Sequence, residues 1–259
     1  LQAHVVVDYR QLRRVKDHDK TPKVEATGWS DEFRERAARR ASAPQPKWSA
    51  CSRLDPAVAR SLQKFQVGES GDGRHLIENA RATGDPDCAI AVELFVAEEQ
   101  NHARMLAHLL NAGGVGTKRS HWSDTVFVHL RRLMGLRLEL MVLTIAEVVA
   151  LRYYRALADG GRDSVLIDVA ERILDDERHH VPFQGRRLRI GFHATPAPAR
   201  KVMRELWRLM AVAVIVVVAV DHGPALRACG VSRREFMADT VLIFCGVLDT
   251  VFVPDRRTS

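Results

Sequence analysis

Residues 171–180 read ERILDDERHH, where the apolar pair Ile173 and Leu174 is followed by three acids and two histidines in one helical stretch. Such crowding is either a solvated helix end or a set of side chains that points inward. Glu177 and His180 are three residues apart and so share one helical face. Ala170, Ile173 and Leu174 continue that face, which directs the pair toward a core. Asp176 and His179 are turned about 100° per residue away from it, an orientation that assigns them to the flank or the surface.

The arrangement recurs in VAEEQNHARML at 96–106, where Glu99 and His102 lie on a stripe with Val92, Phe95, Ala103 and Leu106, and Glu98 falls on the flank. Two other apolar stripes are each interrupted by one carboxylate. Glu69 shares a face with Leu62, Phe65 and Leu76, and Glu147 shares one with Leu140, Leu143, Leu151 and Tyr154. Glu69 and Glu99 are 30 residues apart with the turn TGDPD near their midpoint, and Glu147 and Glu177 are 30 apart around ADGGRD. Each antiparallel hairpin therefore sets one Glu level with one Glu-x-x-His. Glu78 and Glu139 fit less well, the first by its nearness to the turn and the second by lying off its stripe.

Two such hairpins packed face to face gather four carboxylates and two imidazoles at the centre of a four-helix bundle. Unpaired buried carboxylates are prohibitively costly, and divalent cations remove that cost. Oxygen and nitrogen donors suit iron or manganese better than a zinc tetrahedron, and six ligands suit two metals bridged by carboxylates.

The remaining pattern is helical throughout. Helices are predicted at about 55–82, 87–111, 124–158, 163–181 (closed by Pro182), 197–221 and 232–250. The last is opened by a Ser232/Glu235 capping box. VVVDYRQLRR reads as a strand or a helix start, DEFRERAARRA as helix, and ASAPQPKWSA as a linker, because Pro44 and Pro46 disfavour regular structure. The expected organisation is an extension and linker over 1–54, the di-metal bundle over 55–182 and a helical region over 183–259 packed on the bundle.

The chain has 259 residues, 46% hydrophobic, enough for one sizeable core. Four cysteines without a CxxC argue against a disulfide framework or a zinc finger and favour a reducing compartment, here taken as the cytoplasm. The apolar run MAVAVIVVVAV at 210–220 is too short to span a bilayer and reads as a buried helix. The formal charge of +7, concentrated in GRRLRI at 185–190, offers a surface for an acidic carrier or redox protein; nucleic acid is the less favoured partner.

The set Glu69, Glu99-x-x-His102, Glu147 and Glu177-x-x-His180 resembles the ferritin-like di-iron carboxylate superfamily, closest in character to stand-alone bacterial di-iron oxygenases and oxidases. The resemblance covers about residues 55–182. It implies an all-α ferritin-like four-helix bundle with additional C-terminal helices, two iron ions on those six residues (or a manganese–iron pair), and O2-dependent oxidation of a small organic substrate, carrier-bound or free, fed by an external electron donor. Ferroxidase or peroxide handling, and a non-enzymatic metal-stabilised interaction protein, are the alternatives; a homodimer is compatible with either. Thr144 and Tyr154 are the candidate catalytic side chains beside the metals, although Thr144 can bond to its own helix and Tyr154 can be ordinary core. Gly68, Gly71 and Gly73 weaken the first bundle helix next to Glu69 and read as a bulge or substrate space, a close helix contact, or a break. Asp72 and Arg74 form either a network beside the metals or an exposed ion pair. Trp207, Phe236 and Phe244 are tunnel-wall or core residues, and His222 marks a helix end.

Overall fold

A computed structural model describes residues 28–118 and 135–252. Helix α1 (Trp29–Ser42) precedes a short 3-10 turn at Trp48–Ala50. Then follow α2 (Pro56–Glu69), α3 (Arg74–Arg81), α4 (Pro86–Ala112), α5 (Leu136–Gly160), α6 (Ser164–Phe192), α7 (Ala197–Asp221), α8 (Gly223–Ala228) and α9 (Arg233–Phe252). No strand occurs among the described residues, so the all-α expectation is met. VVVDYRQLRR and the 124–134 part of the third predicted helix lie outside the described residues.

Local chemistry sets the starts of the bundle helices. Asp55 accepts from the Ala57 and Val58 amides, with Pro56 at the first turn of α2. Asp85 accepts from the Cys88 amide ahead of α4, and Asp163 accepts from Val165 and Leu166 ahead of α6. Each side chain satisfies amides that the first turn leaves without intrahelical partners. Asp87 serves α1 from a distance, taking the Trp29 and Ser30 amides at 3.0 Å each. Ser232 and Glu235 form the expected reciprocal box at α9, and His222 ends α7.

The first bundle helix is broken in two. The chain leaves helix after Glu69 and re-enters at Arg74, so of the alternatives for this glycine-rich stretch the structure shows a break. Gly73 makes the turn with φ of +62°, and a Cβ there would lie 2.5 Å from the Val96 side chain. Both facts require glycine. Gly68 faces open space. Asp72 and Arg74 pair at 2.9 Å on the surface, the exposed ion pair of the two readings.

Contrary to the expectation from sequence, Pro182 does not close its helix; α6 runs ten residues further, to Phe192. Proline in a helix interior forfeits a hydrogen bond and strains the previous turn, at a cost of about 3 kcal/mol. Phe183, Leu188 and Phe192 are all within 1% of full burial and offset it.

Helix α2 packs on α4, α5 runs along α6, and α4 meets α6, which joins the two hairpins. Helices α7 and α9 cover the α5–α6 side. The interior divides into two apolar clusters, one around Leu62, Leu106, Tyr153 and Ile173, the other around Leu76, Phe95, Leu143 and Phe183. A polar layer separates them. Trp207, Phe236 and Phe244 are core residues; Trp207 donates to the Met141 carbonyl at 2.9 Å. The run 210–220 departs from its expected burial: Ala211, Ile215 and Ala219 are buried, but Val216, Val217 and Val220 are 44–56% exposed. All four cysteines are free thiols, and no described helix is long and apolar enough to cross a membrane.

Gly73→Ala is expected to lower the unfolding free energy by about 1–3 kcal/mol through its left-handed φ. Gly68→Ala should leave it unchanged or raise it by up to about 1 kcal/mol. Urea denaturation of the two variants checks the contrast.

Candidate metal centre

The polar layer contains all six residues singled out above. Glu69 is the last residue of α2, Glu99 and His102 lie on α4, Glu147 on α5, and Glu177 and His180 on α6. They form two sets whose potential ligand atoms lie within 4.8 Å of one another: Glu99, Glu147, Glu177 and His180, and Glu69, Glu99 and His102. Glu99 belongs to both. Its Oε1 lies 3.4 Å from His102 Nδ1 and 3.3 Å from His180 Nδ1. Glu177 is placed similarly, with Oε1 3.6 Å from His102 Nδ1 and Oε2 3.5 Å from His180 Nδ1. Glu147 Oε2 approaches His180 Nδ1 at 3.3 Å.

Burial is nearly complete. Both imidazoles and Glu177 are fully enclosed, and Glu99, at 20% side-chain exposure, is the most open of the six. Glu99 Oε1, His102 Nδ1 and both Glu177 oxygens are buried without a hydrogen bond. Orphaned acceptors of this kind are rare in native interiors. Carboxylate oxygens and imidazole nitrogens converging without donors are what divalent cations would satisfy. The residues present therefore fit a two-metal site.

Electrostatics point the same way. Burial, then the Glu99 charge, raises the Glu69 carboxyl well above its ordinary range. Burial and the Glu147 charge bring Glu99 up to about 8, and the same two causes raise Glu177 strongly. Glu147 is lowered in spite of its burial, because His180 and Gln184 hydrogen-bond to it. Burial alone would lower His180, but Glu147, Glu177 and Glu98 hold it well above the usual imidazole value. Without metal, then, the layer favours the protonated forms of several of its acids and of one imidazole.

Glu98 and Asp176, assigned to the flank or surface from sequence, are each only 2% exposed. His180 Nε2 lies 2.8 Å from Glu98 Oε2, and His102 Nε2 lies 3.1 Å from Asp176 Oδ2. The holding crosses between helices: an α4 acid orients the α6 imidazole, and an α6 acid orients the α4 imidazole. Such contacts place the ring N–H on Nε2 and direct Nδ1 at the cluster. Helix α1 supplies the balancing charge. Arg40 reaches Glu98 at 2.5 Å and Asp176 at 2.9 Å, and Arg36 meets Asp176 at 2.7 Å. The His102 hydrogen bond and charge, then the Arg40 cation, hold the Asp176 carboxyl far below its ordinary value, although burial opposes them. His179 is exposed, as expected, and contacts Arg36. One sequence signal could have found the buried acids: both Glu-x-x-His units are preceded by an acid, Glu98 and Asp176.

The two candidate catalytic side chains differ in placement. Tyr154 is fully buried and donates to Glu69 Oε1 at 3.0 Å. Thr144 is also buried, but its hydroxyl donates to the Leu140 carbonyl at 2.6 Å, so its proton is committed to its own helix. Gln184, unremarked in the sequence, donates to Glu147 Oε1 at 3.2 Å. Glu139 lies outside the layer, as its spacing requires, held by His75 and Asn79. Two surface cavities, of about 290 and 240 Å³, include none of the six residues. In the basic stretch, Arg187 pairs with Asp85 and Arg186 lies over the Trp29 ring.

No protein-family model matches the chain, and no curated protein matches it by sequence. Among solved structures it is similar to protein 19 with aldehyde deformylating oxidase activity from Synechococcus, with a TM-score of 0.56 and 20% identity. The likeness covers 77% of this chain and 93% of that one. It is a likeness of fold, and it agrees with the ferritin-like helical bundle.

Metal-free protein is expected to lose stability as pH rises from about 4.5 to 8. Glu69, Glu99 and Glu177 have raised values in the folded state, so that state binds more protons than the unfolded chain across this window, and stability falls with pH. The raised His180 adds the same slope above its ordinary 6.5. Melting temperatures of chelator-treated and metal-loaded protein across the window check this, the loaded form being the flatter. Asp176→Asn should weaken metal binding about 10- to 100-fold. The exposed neighbour Asp175→Asn should change it little, as competition titrations with a chromophoric chelator would show.

Proposed function

We propose that this protein is a non-haem di-iron oxidase or oxygenase that uses O2 to oxidise a small organic substrate. The observation that supports the reading is that Glu99 belongs to both of two sets of buried donors, each with its own histidine and its own further glutamate, while Glu177 of one set also lies 3.6 Å from the histidine of the other. Glu69 and His102 would hold one ion, Glu147 and His180 the other, with Glu99 and Glu177 available to both. Iron bound there would supply the redox chemistry with O2 that no protein side chain provides. A manganese–iron pair satisfies the same donors.

The protein's own residues provide orientation and exclusion. Glu98 and Asp176 fix the ring orientation of both histidines, so that Nδ1 in each faces the layer. Tyr154 holds its proton against Glu69 Oε1; burial and the Glu69 charge keep the phenol from ionising. Gln184 steadies Glu147 from the far side. Phe33 and Phe95 wall off His180, so bulk water is kept from the ring. The partial exposure of Glu99 marks the more open side of the layer, where O2 and substrate have the shorter path.

The fold likeness to a protein with aldehyde deformylating oxidase activity makes aldehydes the first substrates to test. An external electron donor completes the reading, and an acidic redox protein suits the chain's basic surface. Protein supplied with iron and manganese is expected to bind about two ions per chain by elemental analysis, and Glu99→Ala or Glu177→Ala should lose them while keeping helical circular dichroism. After anaerobic reduction, wild type should consume O2 faster with aldehyde present than without it. Tyr154→Phe should keep its metals and slow that consumption about 10- to 100-fold. Folded, well-supplied wild type without bound metal would overturn the reading.

A further inference from the structure

Helix α7 is apolar on two opposite faces. One, carrying Trp207, Ala211, Ile215 and Ala219, is buried against the bundle. The other is open. Val202, Leu206, Leu209, Ala213, Val216 and Val220 are all exposed, the leucines at 58%. Their spacing is 4, 3, 4, 3 and 4 residues, the alternation of a helix seam with a 3.5-residue period. Met210 and Val217 widen the seam, and Leu242 of α9 stands 59% exposed. A helix that is hydrophobic all round belongs in an interior, and among the described residues this one has only half of an interior.

We propose that this face is an interface between two copies of the chain, with the α7 helices packed antiparallel. The spacing reads the same in both directions. An antiparallel copy therefore meets the seam in register, setting Val202 against Val220, Leu206 against Val216, and the large Leu209 against the small Ala213. Charge does not oppose the packing: at about 100° per residue Lys201, Arg204 and Arg208 lie about 100° or more around α7 from the seam, off the contact. Arg204 and the Glu205–Arg208 pair are already neutralised within the chain.

The area is sufficient. Seven half-exposed aliphatic side chains present about 600 Å² per copy, or about 1,200 Å² for two, the lower end of specific interfaces. The largest apolar patch on an ordinary monomer rarely exceeds about 600 Å². A membrane surface is the weaker occupant, because residues 209–220 carry no cation and the opposite face of α7 is core, whereas interfacial helices carry a strongly charged opposite face.

The test is sedimentation of the full chain at tens of micromolar, with Leu206→Glu/Leu209→Glu as the disrupting variant. A dimer is expected for wild type, and dissociation should strengthen by at least about tenfold in the variant. Helical circular dichroism and metal content should stay unchanged, since both side chains are exposed and far from the polar layer in function. Orientation is read by oxidative cross-linking over the background of the chain's own thiols. Met210→Cys should link to its own counterpart near the dyad, whereas Val202→Cys should not, its counterpart lying about 27 Å away along the helices. A wild-type monomer, a dimer indifferent to the double variant, or efficient Val202→Cys self-linking would each overturn the proposal. So would a monomer that binds phosphatidylglycerol vesicles through the same leucines.

Discussion

Four carboxylates inside an apolar bundle repel one another and have lost their water, and the rest of the molecule is arranged around that cost. The chain partly relieves it with protons. Glu69, Glu99 and Glu177 are driven toward their neutral forms, and His180 toward its cation. It leaves the remainder open, as acceptors on Glu99 and Glu177 and a ring nitrogen on His102 that no donor meets. Since buried polar groups are otherwise satisfied almost without exception, the incompleteness is chemically specific: positive charge with several coordination positions fits there.

Around this layer lies a second one of opposite logic, in which charges are complete. Glu98 and Asp176 each take an imidazole N–H on one side and arginine cations of α1 on the other. A buried carboxylate satisfied from both sides is rigid, and its rigidity passes to the histidine it holds. Helix α1, which lies outside the four bundle helices, is thereby tied to the orientation of both rings. The Asp87 cap at its first turn and the edge-on packing of Phe33 and Trp29 against Phe183 fix the same helix by different means.

The break after Glu69 is a further consequence of position. The glycine at 73, with its left-handed φ and no room for a Cβ beside Val96, makes the turn there. Glu69 thus stands at a helix end, fastened to Tyr154 rather than to its own next turn. On the far side, α7 contributes one apolar face to the core and keeps the other outside, so the C-terminal helices both cover the bundle and expose a surface of their own.

The sequence by itself determined the bundle and the inner six residues, because three-residue spacing on an apolar stripe and equal 30-residue separations across two turns are local, periodic facts. It could not place Glu98 or Asp176. Their burial depends on arginines 58 and 136–140 residues away that only packing brings near. It misjudged Pro182, since a helix-breaking preference yields when Phe183, Leu188 and Phe192 find a core to enter. It also read 210–220 as wholly buried, for hydropathy records what a side chain prefers and not how many neighbours the fold provides. Only the tertiary structure decided which face of α7 found a partner within the chain.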